Sequence, residues 1–194
     1  MSGRSAGRLL VISGPSGAGK SSICDEVLRR IPGAHWSVSV TTRARRPHEV
    51  DGRHYRFVDR STFEAMVRAG ELLEHAEYLG ELYGTPRQPV LEAIGRGEVV
   101  VMEIDVQGGA QVARQVPESI RVFVLPPTME TLRARLEGRK TESEALQTMR
   151  LAEADGEIAF ARNGGVYQHF ITNDILEDSV QQVIRIVEQE TMPK

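Results

Sequence analysis

Gly14-Pro15-Ser16-Gly17-Ala18-Gly19-Lys20-Ser21 decides how this sequence is read. It fits G-x-x-x-x-G-K-[ST], in which glycines let successive backbone N–H groups turn inward around phosphate oxygens. Lys20 then reaches the β- and γ-phosphates of a nucleotide, and the Ser21 hydroxyl is placed to ligate Mg²⁺. The pattern also arises by chance, so its context matters. Arg8–Ser13 before it is a short apolar run that suits a buried strand. Lys20–Arg30 after it reads as a helix with Ile23, Val27, Leu28 and Ile31 on one side, stopped at Pro32-Gly33. A strand, a glycine turn and a helix whose positive end faces the turn form a phosphate site.

Outward from this motif, strands and helices alternate. Trp36–Val40 alternates like a half-buried strand, and Ser61–Ala69 reads as a helix opened by a Ser61–Glu64 capping box. Leu72–Leu79 is strand-like and Val90–Ile94 forms the body of a helix. Glu98–Val106 carries the strongest buried-strand signal. Gly108-Gly109 is expected to open a helix running through Val116. Ile120–Leu125 is the next strand, Thr128–Leu136 a helix, Gly138–Thr141 a break and Ser143–Arg162 a long helix. Tyr167–Thr172 and Glu177–Glu188 give a last strand and helix. This order predicts an α/β fold with a parallel sheet flanked by helices. The polar piece from about 41 to 89 interrupts the alternation and reads as an inserted lobe.

The 194 residues suit one domain carrying insertions, and 40% apolar with 26% charged residues is a globular balance. A net charge of −3 argues against binding nucleic acid or anionic lipid through bulk charge. Apolar runs reach only four residues, and no secretory signal is legible at the N-terminus. One cysteine, Cys24, excludes an internal disulfide and a cysteine-cluster metal site. The five histidines show no ligand spacing. Only Lys20, Lys140 and Lys194 are lysines among 24 basic residues, so Lys20 stands out as a compact point charge in an arginine-rich chain.

Glu103 and Asp105, two apart at the end of an apolar strand, are expected on one face, as a Mg²⁺-phosphate site requires. Arg43, Arg45 and Arg46 follow the strand Trp36–Val40 and offer forked donors for a phosphate dianion; a solvated loop is the competing reading. Five acids and one arginine between Glu64 and Glu81 make the inserted piece basic at one end and acidic at the other. Arg133, Arg135, Arg139, Lys140 and Arg150 are either a solvated helix face or an arm that brings guanidiniums onto a phosphoryl group.

The stretches GPSGAGKSS, SVSVTTRARRPHEVDGRHY, LLEHAEYLGELYGTP, VVVMEIDVQGG, LEGRKTESEA and ITND resemble the guanylate kinases over nearly the whole chain. The resemblance implies a cytoplasmic ATP:GMP phosphotransferase that takes Mg²⁺ with ATP and acts on GMP, and on dGMP as well. It implies a P-loop NTPase core (1–37, 90–132 and 159–194), an inserted GMP-binding lobe (38–89) and a helical lid (133–158). The partners would be small-molecule substrates, without nucleic acid or membrane, and the enzyme a monomer or homo-oligomer. Gly14, Pro15, Ser16, Gly17, Ala18, Gly19, Lys20, Ser21 and Ser22 match the ATP-phosphate loop. Ser21 of the loop and Glu103 at the strand end, the latter directly or through water, are the expected metal position. Arg43, Arg46, Tyr55 and Tyr83 match the holders of the GMP phosphate, and Ser39, Glu74, Thr85 and Asp105 match the readers of guanine. Arg135, Arg139 and Arg150 match the arginines that gather on ATP, so Lys20, Arg43, Arg135, Arg139 and Arg150 carry catalysis. Asn173 matches a position near adenine. Two residues depart from the family pattern, Lys140 where glycine is usual and Met149 before Arg150. A related small-molecule kinase, acting for example on ribose bisphosphate, would keep the loop without needing Glu74, Thr85 and Asp105 together. A guanylate-kinase-like peptide-binding module would not need the loop intact.

Overall fold

A computed structural model describes residues 7–78, 80–138 and 144–192, without the side chains of 144–146. β1 (Arg8–Ser13) is the middle strand of a five-stranded parallel sheet. β7 (Val99–Glu103) lies on one side of it, with β2 (His35–Trp36) beyond. β8 (Ile120–Leu125) and then β9 (His169–Thr172) lie on the other. Strict alternation along β1 and β7 explains the double cover. Leu10, Ile12, Val99 and Val101 pack with Val27, Val180 and Val183 from α1 (Lys20–Arg30) and α7 (Leu176–Thr191). Leu9, Val11, Val100 and Met102 pack the other way with Val90 and Val112 from α3 (Arg87–Gly95) and α4 (Val106–Gln115). A sheet buried on both faces reads in sequence as an unbroken apolar run, as it does here.

A second sheet holds β4 (Arg56–Phe57), β3 (Val40–Thr41), β6 (Glu81–Pro86) and β5 (Leu72–Tyr78), in that order, and α2 (Arg60–Arg68) covers it through Phe63 and Met66. It is anchored to the core through α4. Gln111 exchanges two hydrogen bonds with the backbone of His75, and Gln115 donates to the Leu73 carbonyl at 2.9 Å. α5 (Met129–Glu137) and α6 (Glu144–Asn163) lie against each other beside the core sheet.

Several sequence expectations are corrected. Trp36–Val40 is not one strand: His35–Trp36 pairs with β7, while Val40–Thr41 belongs to the second sheet. The alternation in sequence is not met by the burial, since His35 and Trp36 are both exposed and Val40 and Thr41 both buried, and the chain crosses between sheets at Ser37–Ser39. The cap of α2 is Asp59, whose carboxylate accepts from Thr62 N at 2.7 Å; a carboxylate two positions earlier outcompetes the Ser61 hydroxyl. The helix expected at Gly108 starts at Val106, because Asp105 caps it by accepting from Gly108 N at 2.7 Å. β7 ends at Glu103, so Asp105 is not a second carboxylate on that strand's face. β9 begins at His169 rather than Tyr167. The expected break at 138–141 falls mostly outside the described residues, as do Leu79 and Ser143.

Candidate active site

A cleft of about 1150 Å³ opens at the carboxyl edge of β1 and β7, between the core sheet, the second sheet and α6. This is where ligands settle in open α/β sheets. Gly14, Ser16, Lys20, Ser39, Tyr55, Thr85, Glu103, Asp105 and Arg150 all line it, although they come from well-separated stretches of chain.

On the core side, the loop 14–19 leads from β1 into α1. Gly14, Gly17 and Gly19 have φ of 148°, 90° and 91°, conformations that turn the loop back on itself. Lys20 Nζ folds over the loop and donates to the Gly14 carbonyl at 2.7 Å and to the Pro15 carbonyl at 3.0 Å. Its ammonium therefore stands at the loop's mouth, within reach of a bound phosphate. Ser21 Oγ donates to Glu103 Oε1 at 3.0 Å, so the hydroxyl and the carboxylate of the expected metal position are already side by side. Ser22 is exposed on the first turn of α1.

On the second sheet, Glu74 and Thr85 are opposite each other on β5 and β6, and Thr85 Oγ1 donates to Glu74 Oε1 at 2.7 Å. Glu74 is 6% exposed. Burial pushes its carboxyl up to about 7; the Thr85 hydroxyl opposes that shift and the Asp105 charge adds to it. Residue 108 being glycine leaves Glu74 room against α4, since a Cβ there would lie 3.0 Å from Glu74 Oε2 and press on it. Asp105 is exposed at the head of α4, and Ser39 lies on the crossing between the two sheets.

Arg43 Nη2 donates to Glu49 Oε1 at 2.7 Å, and its guanidinium lies 5.6 Å from the Tyr55 ring centre. Tyr83 meets Tyr55 edge-on at 6.0 Å. Arg46 is exposed, and its backbone N–H donates to Glu49 Oε2 at 2.8 Å. The four residues expected to share one phosphate are thus linked in a chain, with Arg43 and Arg46 on the buried Glu49 carboxylate, Tyr55 against Arg43 and Tyr83 against Tyr55. The Arg43 guanidinium and the Arg46 amide hold Glu49 down to about 2.

Beyond the phosphate loop, Arg150 Nη1 donates to Ser16 Oγ at 2.6 Å and Arg135 Nη2 to the Asn173 carbonyl at 3.0 Å. Arg139 and Lys140 lie outside the described residues. Asn173 is 5% exposed, and its side chain is spent on the Ala18 carbonyl and on Ser179. Met149 is exposed.

Sequence reasoning misses Glu49 and Glu157. Glu49 is one acid in a mixed-charge loop, with nothing in its spacing to mark it. Glu157 has a legible signal, because Arg150, Glu153, Glu157 and Phe160 recur at helical spacing, and the structure turns all four into the cleft. Burial pushes Glu157 up to about 7, with Lys20 opposing and Asp105 and Glu153 adding. Among the described residues no three His, Cys, Asp or Glu side chains gather as a metal site, and no helix is long and apolar enough to cross a membrane.

Comparison with known proteins gives one answer. The family model described as guanylate kinase matches residues 6–190. A guanylate kinase of Carboxydothermus hydrogenoformans is 44% identical over 186 residues, covering 96% of this chain and 90% of its own. One from Thermus thermophilus is 47% identical over 184 residues, covering 95% and 82%. The crystal structure of guanylate kinase from Anaplasma phagocytophilum superposes with a TM-score of 0.76 at 32% identity, covering 98% of this chain and 89% of its own.

Proposed function

The chain belongs to the guanylate kinase family, and on that premise we propose that its cleft seats GMP against the second sheet and MgATP on the phosphate loop. The reaction is transfer of the γ-phosphoryl group of ATP to the phosphate of GMP, giving GDP and ADP. The observation that carries this reading is Thr85, which lines the same cleft as Lys20 and holds the buried Glu74 carboxylate directly behind it.

Guanine presents N1–H and N2–H₂ side by side, and one carboxylate accepts both. Its O6 accepts from a hydroxyl such as Ser39 or Thr85. Adenine would turn the N1 lone pair toward Glu74 and leave a buried charge unanswered. The GMP phosphate goes to Arg43, Arg46, Tyr55 and Tyr83, with Asp105 at the base. A 2′-hydroxyl has no part in this set, so dGMP is a substrate as well.

Loop N–H groups and Lys20 hold the triphosphate, and Arg135, Arg139 and Arg150 gather its charge, with the adenine end toward Arg135 and Asn173. Ser21 and Glu103 are hard oxygen donors at the phosphate end, which suits a Mg²⁺ that keeps its other places for phosphate and water. When bound, the ion neutralises phosphate charge. The protein positions the GMP oxygen in line with the γ-phosphorus, spreads cations around the transferring group and excludes water. The segment 38–89 acts as the GMP lobe and 133–158 as the lid, closing on the core at 1–37, 90–132 and 159–194. The substrates are small molecules of the cytoplasm, and the reading needs neither nucleic acid nor membrane.

A bisubstrate analogue joining adenosine and guanosine through a phosphate chain tests the shared cleft. It should compete with both GMP and ATP; competition with only one would place the two nucleotides in separate sites.

A further inference from the structure

We propose that Asn173 is the brace of the phosphate loop: its side chain fixes the Ala18 carbonyl from behind, and so sets the grip on a triphosphate chain without reading the base. The inference rests on the reading that this loop holds the ATP phosphates.

A loop that turns its N–H groups inward must turn carbonyls outward, and each needs a partner. The Gly14 and Pro15 carbonyls take Lys20 Nζ, and the Gly19 carbonyl takes Ile23 N within α1. The Ala18 carbonyl takes Asn173 Nδ2 at 2.8 Å, a side chain from 155 residues away at the end of β9. Asn173 is held on all sides. Its backbone N–H donates to the Leu125 carbonyl at 2.8 Å, its own carbonyl accepts from Arg135 at 3.0 Å, and its Oδ1 accepts from Ser179 Oγ at 3.1 Å. The amide's orientation follows from these partners, because a carbonyl at Ala18 demands the NH₂ end.

Two further observations set its role. At 5% exposure the side chain has no face left for a nucleobase in the cleft. Gly19, at φ 91°, also makes room for it, since a Cβ at residue 19 would overlap Asn173 Nδ2. The Ala18–Gly19 peptide, whose rotation aims the following N–H groups at phosphate, is thereby pinned to the end of the core sheet. The backbone of the same residue receives Arg135, so loop and arginine are set from one point. Asn173 is a positioning residue, acting on phosphate through Ala18 and Gly19.

Asn173→Ala and Ser179→Ala, each assayed as the full-length enzyme, test this. The readouts are KM for MgATP, KM for GMP, and Ki for inorganic tripolyphosphate as a competitor of ATP that carries no base. In Asn173→Ala, KM for MgATP and Ki for tripolyphosphate should rise together by about tenfold, the effect of one lost buried hydrogen bond, with KM for GMP unchanged. In Ser179→Ala both should rise together by roughly two- to threefold, which decides the matter if the Asn173 variant fails to fold. A rise in KM for MgATP with Ki for tripolyphosphate unchanged would make Asn173 a base reader and overturn the proposal. A lower melting temperature with all three constants unchanged would reduce it to a packing residue and overturn it too. Absence of GMP phosphorylation by the wild type would instead overturn the functional reading itself.

Discussion

Thr85 and Glu74 are direct cross-strand partners, and the Thr85 hydroxyl donates to the Glu74 carboxylate at 2.7 Å in a pocket closed by Gly108. The hydroxyl fixes one carboxylate oxygen, while the other lies beside Gly108 of α4; in the proposed reading this carboxylate meets the guanine edge. Glu74→Gln replaces an acceptor with an NH₂ facing guanine's own donors. It should lower kcat/KM for GMP by ~10²-fold or more and leave KM for ATP unchanged, as steady-state kinetics with each substrate varied will read. An equal loss of ATP affinity would contradict separate subsites.

The same carboxyl sets a pH dependence. Burial raises it to about 7, so the free enzyme binds the proton more tightly than the unfolded chain does. Its contribution to stability is present below pH ~4.5 and is lost as pH rises through ~7. Guanine requires the ionised form, so kcat/KM for GMP should climb through pH ~7. Glu74→Gln should remove that limb, leaving only the limb of the GMP phosphate near pH ~6. Glu157 also titrates at about 7, so the limb must survive in Glu157→Gln.

Gly108→Ala offers a gentler probe. The added methyl would press on Glu74 and on Ile104, so kcat/KM for GMP should fall several-fold while the helix gains propensity. An unchanged kcat/KM would mean that Glu74 does not need this approach.

Much of this is legible in the sequence. Ile120–Leu125 can be read to the residue, because a strand buried on both faces and ended by Pro126-Pro127 leaves no ambiguity. The phosphate loop is legible for a similar reason: its glycines and Lys20 are required in a fixed spacing. The Trp36–Val40 break is not, since it is set by which distant strand each fragment pairs with, β7 for His35–Trp36 and β6 for Val40–Thr41. Asp105 reads as a strand carboxylate and proves to be a helix cap, because an acid closely preceding a glycine pair fits either role. Glu49 and the buried side chain of Asn173 depend on contacts across loops or across the whole chain, which no local pattern encodes.

Lys20→Ala should lower turnover by at least ~10²-fold, roughly 2.7 kcal/mol, through loss of charge on the β- and γ-phosphates. Lys20→Arg should not rescue it, because a planar fork does not fit between the Gly14 and Pro15 carbonyls that now take a compact ammonium. Single-turnover kinetics on folded variants will check both, and near-normal rates in either would contradict the role of the loop.

Glu49→Ala should raise KM for GMP roughly tenfold, because Arg43 and the Arg46 backbone lose the carboxylate that fixes them. KM for ATP should stay as it is. Isothermal titration with GMP alone gives an independent reading, and unchanged affinity would remove Glu49 from the phosphate site.

The proposed roles of Glu74 in base choice and Lys20 in phosphate transfer meet in one measurement, coupled phosphotransfer from MgATP across GMP, dGMP, AMP, CMP, UMP and ribose bisphosphate. GMP and dGMP should turn over, with the other acceptors lower by ~10²-fold or more in kcat/KM. Turnover of AMP or ribose bisphosphate at a rate comparable to GMP, or none with GMP, would contradict the account.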